Sequence, residues 1–393
     1  MKRRTKILYI HHGTGIGGAP ISLLNLIKNL DKEKFETKIA CLADGNHVQL
    51  FKDQGIITEV IGTTTHNFCH NETGKKQWYY FPYYIFVAFL WFYIAFIRAP
   101  KYLKSQQYDI LHLNSHVLTS WAFAGRALGS RIVLHNREAI TKGYIGLRYS
   151  ILKYLITKNT NHIINISKDN QNRLGIFEDS SVVYNFINIP QTYSTIVSGD
   201  RERRVLFLGG TAYIKGFGTL ADAIPYINMN IKVLIAGGIS NTSVKGFRQK
   251  IKNFFNNATV MHEKLNKIAS NNNVKFLGIV TDPYQYIDSC DVLLTPFAVP
   301  HFSRPAIEAF AYGKPVIGTS IEGMDEIIDH NVNGILVENH QPQDLATAIN
   351  DLCNDSEKAI EMGLNGRKKA IEKFSPTVNM KKIVSIYEHV LNS

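Results

Sequence analysis

The sequence predicts an α/β protein built from two doubly wound parallel sheets. Three observations carry that prediction. Short apolar runs alternate with helical stretches along the chain; the alternation lapses in a polar stretch at 191–203 and then restarts; and 393 residues exceed what one hydrophobic core usually organises. Before the lapse, strands are expected at 6–11, 37–42, 109–113, 131–135, 162–166 and 181–185, with the first helix over 19–30. After it, strands are expected at 204–209, 232–236, 274–277, 292–295, 315–318 and 334–337. The reading is therefore a first domain over 1–195, a second over 196–375 and a closing helix over 376–393. Doubly wound sheets bind ligands at the carboxyl ends of their strands, so two such domains are expected to face each other across a cleft.

Composition narrows the function classes. Apolar residues make up 45% and charged residues 19%, the balance of a globular chain. Lys and Arg total 44 against 32 acidic residues, a formal charge of +12, which favours anionic partners such as nucleotides or lipid headgroups. Nucleic acid is not expected, because no basic and aromatic cluster on a known module is evident. The cysteines (Cys41, Cys69, Cys290 and Cys353) form no C-x-x-C pair, so zinc and redox chemistry are not expected and reduced cytosolic thiols are. The basic start runs straight into Ile7-Leu-Tyr-Ile10, a strand too short for a signal-peptide core, and a cytoplasmic location is expected.

The first strand is followed by Gly13-Thr-Gly15-Ile-Gly17-Gly18, which matches G-x-G-x-x-G, and Asp44 ends the next strand. In isolation this reads as a dinucleotide site. A helix N-terminus with unhindered N–H groups suits a phosphate, while a tight strand-to-helix turn that binds nothing fits the same residues.

The second half is more specific. Val274-Lys-Phe-Leu-Gly278 leads into Asp291-Val-Leu-Leu-Thr-Pro-Phe297, then His301-Phe-Ser-Arg-Pro-Ala-Ile-Glu308 and Ala309-Phe-Ala-Tyr-Gly313-Lys-Pro-Val-Ile-Gly318. Gly323-Met-Asp-Glu-Ile-Ile328 and Asn333-Gly-Ile-Leu-Val337 follow. This succession resembles the family-4 glycosyltransferases, the retaining class with the GT-B fold of two Rossmann-like domains. The resemblance extends more thinly to Gly17-Gly18-Ala19, the strand ending in His135, Val183-Tyr-Asn-Phe-Ile-Asn188 and the closing helix, which in the family crosses back to the first domain.

The resemblance implies transfer of a sugar from a nucleotide-sugar donor to a saccharide or lipid-linked acceptor, in cell-surface polysaccharide biosynthesis. It implies Gly17 and Gly18 near the donor diphosphate and Lys215 as the diphosphate-binding lysine. The family's arginine five residues earlier is replaced by Gly210, and Arg304 is the candidate for that second charge. Glu308 matches the glutamate that accepts hydrogen bonds from the ribose, and a carboxylate's paired oxygens suit a vicinal diol. The family's other glutamate, eight residues earlier, is replaced by Pro300. Backbone N–H groups near Phe302 and Ser303 are then expected to read the sugar, with a deoxy or N-acetylated donor favoured. His135 matches the histidine beside the reaction centre, and His112 and His116 are candidates for acceptor contacts. For each residue a bland alternative stands: a surface lysine, a helix-start glutamate, a structural strand-end histidine. No Asp-x-Asp pair appears, so neither a metal nor a cofactor is expected. A non-catalytic nucleotide-sugar-binding protein is the second reading, given Gly210 and Pro300.

Between Lys76 and Arg98 no residue is charged, and 78–97 is dense in aromatics. Spanning a membrane would separate the first two strands from their sheet partners, and a core helix would be apolar beyond what one sheet face covers. Lys75, Lys76, Arg98, Lys101 and Lys104 flank the segment. A helix or helical pair lying in the inner surface of the cytoplasmic membrane is expected.

Overall fold

A computed structural model of the chain describes residues 3–62, 81–140, 142, 146–195, 202–239 and 257–393. It divides into two units, Met1–Phe186 with Pro376–Ser393, and Ile187–Ser375. The polar stretch led us to expect the boundary near 195, whereas the division falls after Phe186. The reason is that 187–194 is strapped onto the second unit. Ile187 N donates to Phe374 O at 3.0 Å, Arg367 Nη2 to Pro190 O at 2.7 Å and Lys314 Nζ to Ser194 O at 2.6 Å.

In the first unit the described elements are β1 (Thr5–His11), α1 (Gly18–Lys28), β2 (Phe35–Cys41), α2 (Asn46–Asp53) and β3 (Ile57–Val60). Then come α3 (Phe81–Tyr93), α4 (Ala99–Lys104), β4 (Ile110–Leu113), α5 (Thr119–Ala127), β5 (Arg131–Asn136), α6 (Leu147–Asn159), β6 (His162–Asn165), α7 (Lys168–Leu174) and β7 (Ser180–Val182). The sheet order is β3-β2-β1-β4-β5-β6-β7, parallel throughout. A parallel sheet is covered on both faces, so its strands read as continuous apolar runs. Ile7 and Tyr9 enter one core with α1 and α2, and Leu8 and Ile10 enter the other with α4, α5 and α6. The edge strand β3 escapes the sequence reading because Ile-Thr-Glu-Val is half exposed and offers no such run.

The second unit runs β8 (Arg203–Phe207), α8 (Phe217–Ala223), β9 (Ile231–Ala236), α9 (Ala258–Ile268), β10 (Val274–Gly278), α10 (Tyr284–Ser289) and β11 (Val292–Thr295). It continues with α11 (Arg304–Ala311), β12 (Val316–Thr319), β13 (Gly334–Val337), α12 (Pro342–Asn354) and α13 (Ser356–Phe374), and its sheet order is β10-β9-β8-β11-β12-β13. The last helix, α14 (Pro376–Asn392), carries Met380, Ile383, Ile386, Tyr387 and Val390 at helical spacing, and these pack into the core of the first unit with Ile7 and Tyr9.

The aromatic segment is helical from Phe81, passes through a π-helical turn at Ile94–Arg98 and continues into α4. Residues 78–80, Lys75, Lys76 and the side chains of 81–84 lie outside what is described. Val87, Ile94, Ala95, Ala99 and Leu103 are buried, whereas Phe89 is 71% exposed and Phe92, Phe96 and Ile97 are also exposed. Ile85–Lys104 is long and apolar enough to cross a membrane, and only 22% of its apolar window is buried. Arg98 is not a free flanking charge: its Nη2 donates to Ile61 O at 2.6 Å.

Candidate functional site

Both sheets reverse their strand order at a central pair, β1–β4 in the first unit and β8–β11 in the second. Doubly wound sheets build their ligand sites at the carboxyl end of such a pair. In the second unit, β8 is followed by Gly209-Gly210 and a 3-10 turn over Tyr213–Lys215. Gly210 has φ +56°, and a Cβ there would sit 2.3 Å from Gly238 O, so no side chain fits. Gly216, at φ +84°, brings this turn against Pro296 O, where a Cβ would lie at 1.6 Å. Ala298 N also donates to Ile214 O at 3.1 Å. The turn carrying Lys215 is thereby held beside the loop after β11. There the His301 ring stacks on Phe297 at 4.2 Å, and burial, aided by the Lys215 charge, lowers its pKa to about 4.

That loop ends at Ser303, whose Oγ caps α11 by accepting from Ala306 N at 3.3 Å. One turn on, Arg304 Nε donates to Glu308 Oε1 at 2.7 Å, with both side chains buried. Tyr284 OH donates to the same oxygen at 3.3 Å, its ring stacked on Tyr312. Among the described residues, Arg304 Nη1 and Nη2 are buried without a hydrogen-bond partner. Buried guanidinium donors are costly to leave unmade, so the pair holds donors in excess of its acceptors.

In the first unit the corresponding strand ends hold a buried, mostly neutral network. His135, at the end of β5, has Nδ1 at 3.3 Å from Arg137 Nη2, and its Nε2 has no partner. Arg137 Nε donates to Asn114 Oδ1 at 2.6 Å and Nη1 to Asn185 Oδ1 at 2.9 Å. His112 lies 5.5 Å from His135, ring to ring, and its Nδ1 is 2.9 Å from Tyr387 OH of α14, which also meets Tyr9 OH at 3.0 Å. Burial, then Arg137, hold the pKa values of His112 and His135 well below the ordinary 6.5, with His112 adding to the shift at His135. His116 Nδ1 pairs with Asn136 Oδ1 at 3.0 Å and lies 3.4 Å from Glu138. Among the described residues no group of three His, Cys, Asp or Glu side chains is arranged to hold a metal ion.

Residues 195–369 match the family described as Glycosyl transferases group 1, and residues 16–190 match Glycosyltransferase Family 4. An uncharacterised glycosyltransferase of Methanocaldococcus jannaschii is 30% identical over 305 residues, covering 75% of this chain and 80% of that protein. The chain belongs to the group 1 glycosyltransferases. The capsular polysaccharide biosynthesis glycosyltransferase CapM of Staphylococcus aureus is 30% identical over 124 residues, covering 32% of this chain and 33% of CapM. Among solved structures, HepE of Anabaena in complex with UDP and glucose superimposes with a TM-score of 0.75 at 21% identity, covering 98% of this chain and 100% of HepE. The α/β two-domain GT-B fold is therefore that of this glycosyltransferase.

Within the glycosyltransferase, the expected residues fall into three groups. Arg304 and Glu308 are in contact, and Lys215 is held on the neighbouring loop. Gly17 and Gly18 open α1 with clear space around them and no side-chain cap. Phe302 and Ser303 immediately precede α11, and His112 and His116 lie at and just beyond the end of β4. The Phe302 ring is buried edge-on against Phe374, so only its backbone is left to face a ligand, and Ser303 spends its hydroxyl on the helix cap. His112, at the end of the central strand β4, and His116, in the loop beyond it, are as buried as His135. Asp44, the apparent ribose acid of a dinucleotide site, accepts instead from Gly45 N at 2.8 Å. Sequence reasoning missed Tyr284, Arg137 and Tyr387. Arg137, two residues beyond His135 on the same strand end, was the one with a local signal.

Proposed function

We propose that this glycosyltransferase takes a nucleotide-sugar donor on its second unit and transfers the sugar with retention and without a metal. The observation that carries the donor site is the buried Arg304–Glu308 pair, whose two terminal guanidinium nitrogens have no hydrogen-bond partner among the described residues. Glu308 would accept from the ribose diol through its remaining oxygen, while Arg304 and Lys215 neutralise the diphosphate. Gly210 cannot carry the family's arginine, so Arg304 supplies that charge from the other loop. In the reaction the C1–O bond to the diphosphate breaks and the acceptor oxygen bonds C1 on the same face. The acceptor's proton passes to the departing phosphate oxygen. With Pro300 in place of a carboxylate, a deoxy or N-acetylated sugar is the favoured donor. The names of two similar proteins support the class: HepE was solved with UDP and glucose, and CapM acts in capsular polysaccharide biosynthesis. Glu308→Gln should weaken binding of nucleoside diphosphates measured by calorimetry at a temperature where the variant is folded, and it should lower Tm because the buried Arg304 charge loses its partner; undiminished affinity would remove the donor from this site.

A membrane-bound acceptor, reached from the cytoplasmic face, is the second part of the reading. It is supported by the exposed Phe89, Phe92, Phe96 and Ile97 and by the exposed Lys101 and Lys104 on the same helical segment. Trp91 is a poor probe of this face, since its Nε1 donates to Thr119 Oγ1 at 2.9 Å. Replacing Phe89, Phe92 and Phe96 by Ser should abolish sedimentation with vesicles containing anionic lipid. Equal recovery in the supernatant with and without vesicles, for the unaltered protein, would return the segment to a packing role.

A further inference from the structure

We propose that Arg137 is a positioning residue that locks the ring of His135 with its proton on Nε2, making His135 a hydrogen-bond donor to a substrate oxygen and not a proton acceptor. The inference rests on the resemblance, by which His135 matches the histidine beside the reaction centre. A guanidinium has donors only, so at 3.3 Å from Arg137 Nη2 the His135 Nδ1 has to accept. The neutral ring then carries its single proton on Nε2. That atom lies on a residue only 3% exposed and has no partner among the described residues. A buried donor left unmade is costly, and an incoming sugar hydroxyl or carbonyl oxygen would satisfy it.

The same logic propagates. Arg137 Nε takes Asn114 Oδ1, so Asn114 Nδ2 is left to donate to His11 Nδ1 at 3.0 Å. His11 is thereby fixed as the same tautomer, with its unpartnered Nε2 directed at Gly13, whose Cβ position lies 2.8 Å away. Asn185 Oδ1 closes the third side of the guanidinium. The titratable groups facing this cluster are His112 on β4, Tyr9 on β1, Tyr387 on α14, and His12 and His47 beside His11. Arg137 thus orients His135 directly and His11 through the Asn114 amide.

Long-range proton–nitrogen correlation spectra of the full chain, labelled with nitrogen-15 at histidine, read the tautomers directly. His135→Gln and His11→Gln identify the two ring systems. Both should show the neutral Nε2–H pattern near neutral pH, and Arg137→Met should turn them into tautomer mixtures. Turnover of Arg137→Met should fall by at least about ten-fold while nucleoside-diphosphate affinity stays within about two-fold. Glutamine offers an N–H where Nε2–H stood but cannot accept a proton there, so His135→Gln should retain several-fold more turnover than His135→Ala. A wild-type His135 that is Nδ1-protonated or charged overturns the lock, and so does equal loss in the Gln and Ala variants. If Arg137→Met does not fold, the wild-type spectrum and the Gln–Ala pair still decide. The expected spectrum in a protein that transfers no sugar supports the lock and overturns the catalytic reading beneath it.

Discussion

The carboxyl ends of the two sheets share a strand order and differ in what they do with charge. In the first unit Arg137 is spent internally, on Asn114, Asn185 and His135, and what remains to meet a ligand is a neutral imidazole. In the second unit Arg304 gives one bond to Glu308 and keeps two buried nitrogens unmet. On the proposed reading, the anion site keeps the terminal nitrogens of Arg304 available, whereas the sugar-facing site uses its cation to fix a weaker donor. Fold alone distinguishes neither role, because both ends sit at the same topological position.

The largest effect expected from this difference is acid sensitivity confined to one unit. His11, His47, His112, His135 and His162 of the first unit have pKa values lowered from 6.5, chiefly by burial, against His301 at about 4 among the described residues of the second. Above pH 6.5 both folded and unfolded chains leave these rings neutral. As pH falls through 6.5 the unfolded chain takes up protons that the folded chain refuses, so stability drops, most steeply through His11, His112 and His135, at up to about 1.4 kcal/mol per pH unit for each of these three rings. Hydrogen exchange followed from about pH 7.5 to about pH 5.5 should show the first unit loosening before the second. Simultaneous loosening would break the comparison.

Next in size is Lys215→Ala. Loss of a charge-assisted contact, about 1.5–3 kcal/mol, should weaken nucleoside-diphosphate binding roughly 10- to 150-fold while leaving the tautomer spectra of the first unit unchanged. Calorimetry that finds equal affinity would place the diphosphate elsewhere.

The smallest effect compares glycines. Gly210→Ala meets Gly238 O and a left-handed backbone, a strain of about 1–2 kcal/mol from the dihedral alone, and should lower Tm. Gly18→Ala has open space at a helix start and should shift stability by less than about 0.5 kcal/mol. If the two variants melt alike, the steric account of why no arginine stands at 210 is wrong.

How far the site was legible follows from sequence distance. Glu308 and Arg304 lie one helical turn apart, so their pairing was within reach of the sequence, and Lys215 stood in a recognisable glycine-rich turn. Tyr284 lies 24 residues from Glu308, and Tyr387 lies 275 from His112, too far for any periodicity to join them. His112 looked like a candidate surface group because a strand end does not reveal whether other elements cover it.

By itself the sequence determined the alternation of apolar strands and amphipathic helices, because burial on both faces of a parallel sheet forces continuous apolar runs such as Ile7–Ile10 and Val292–Leu294. It also determined where the chain must turn tightly, since Gly210 and Gly216 adopt backbone conformations that side chains resist. Only the tertiary structure decided which charges remain available. Arg137, Arg98 and Arg304 are equally cationic in the sequence, yet the first two give donors to amide and carbonyl oxygens of the fold while Arg304 keeps its terminal nitrogens unmet. The physical reason is that a guanidinium's function depends on which acceptors long-range packing brings within hydrogen-bond distance, and strand order, not local sequence, sets that.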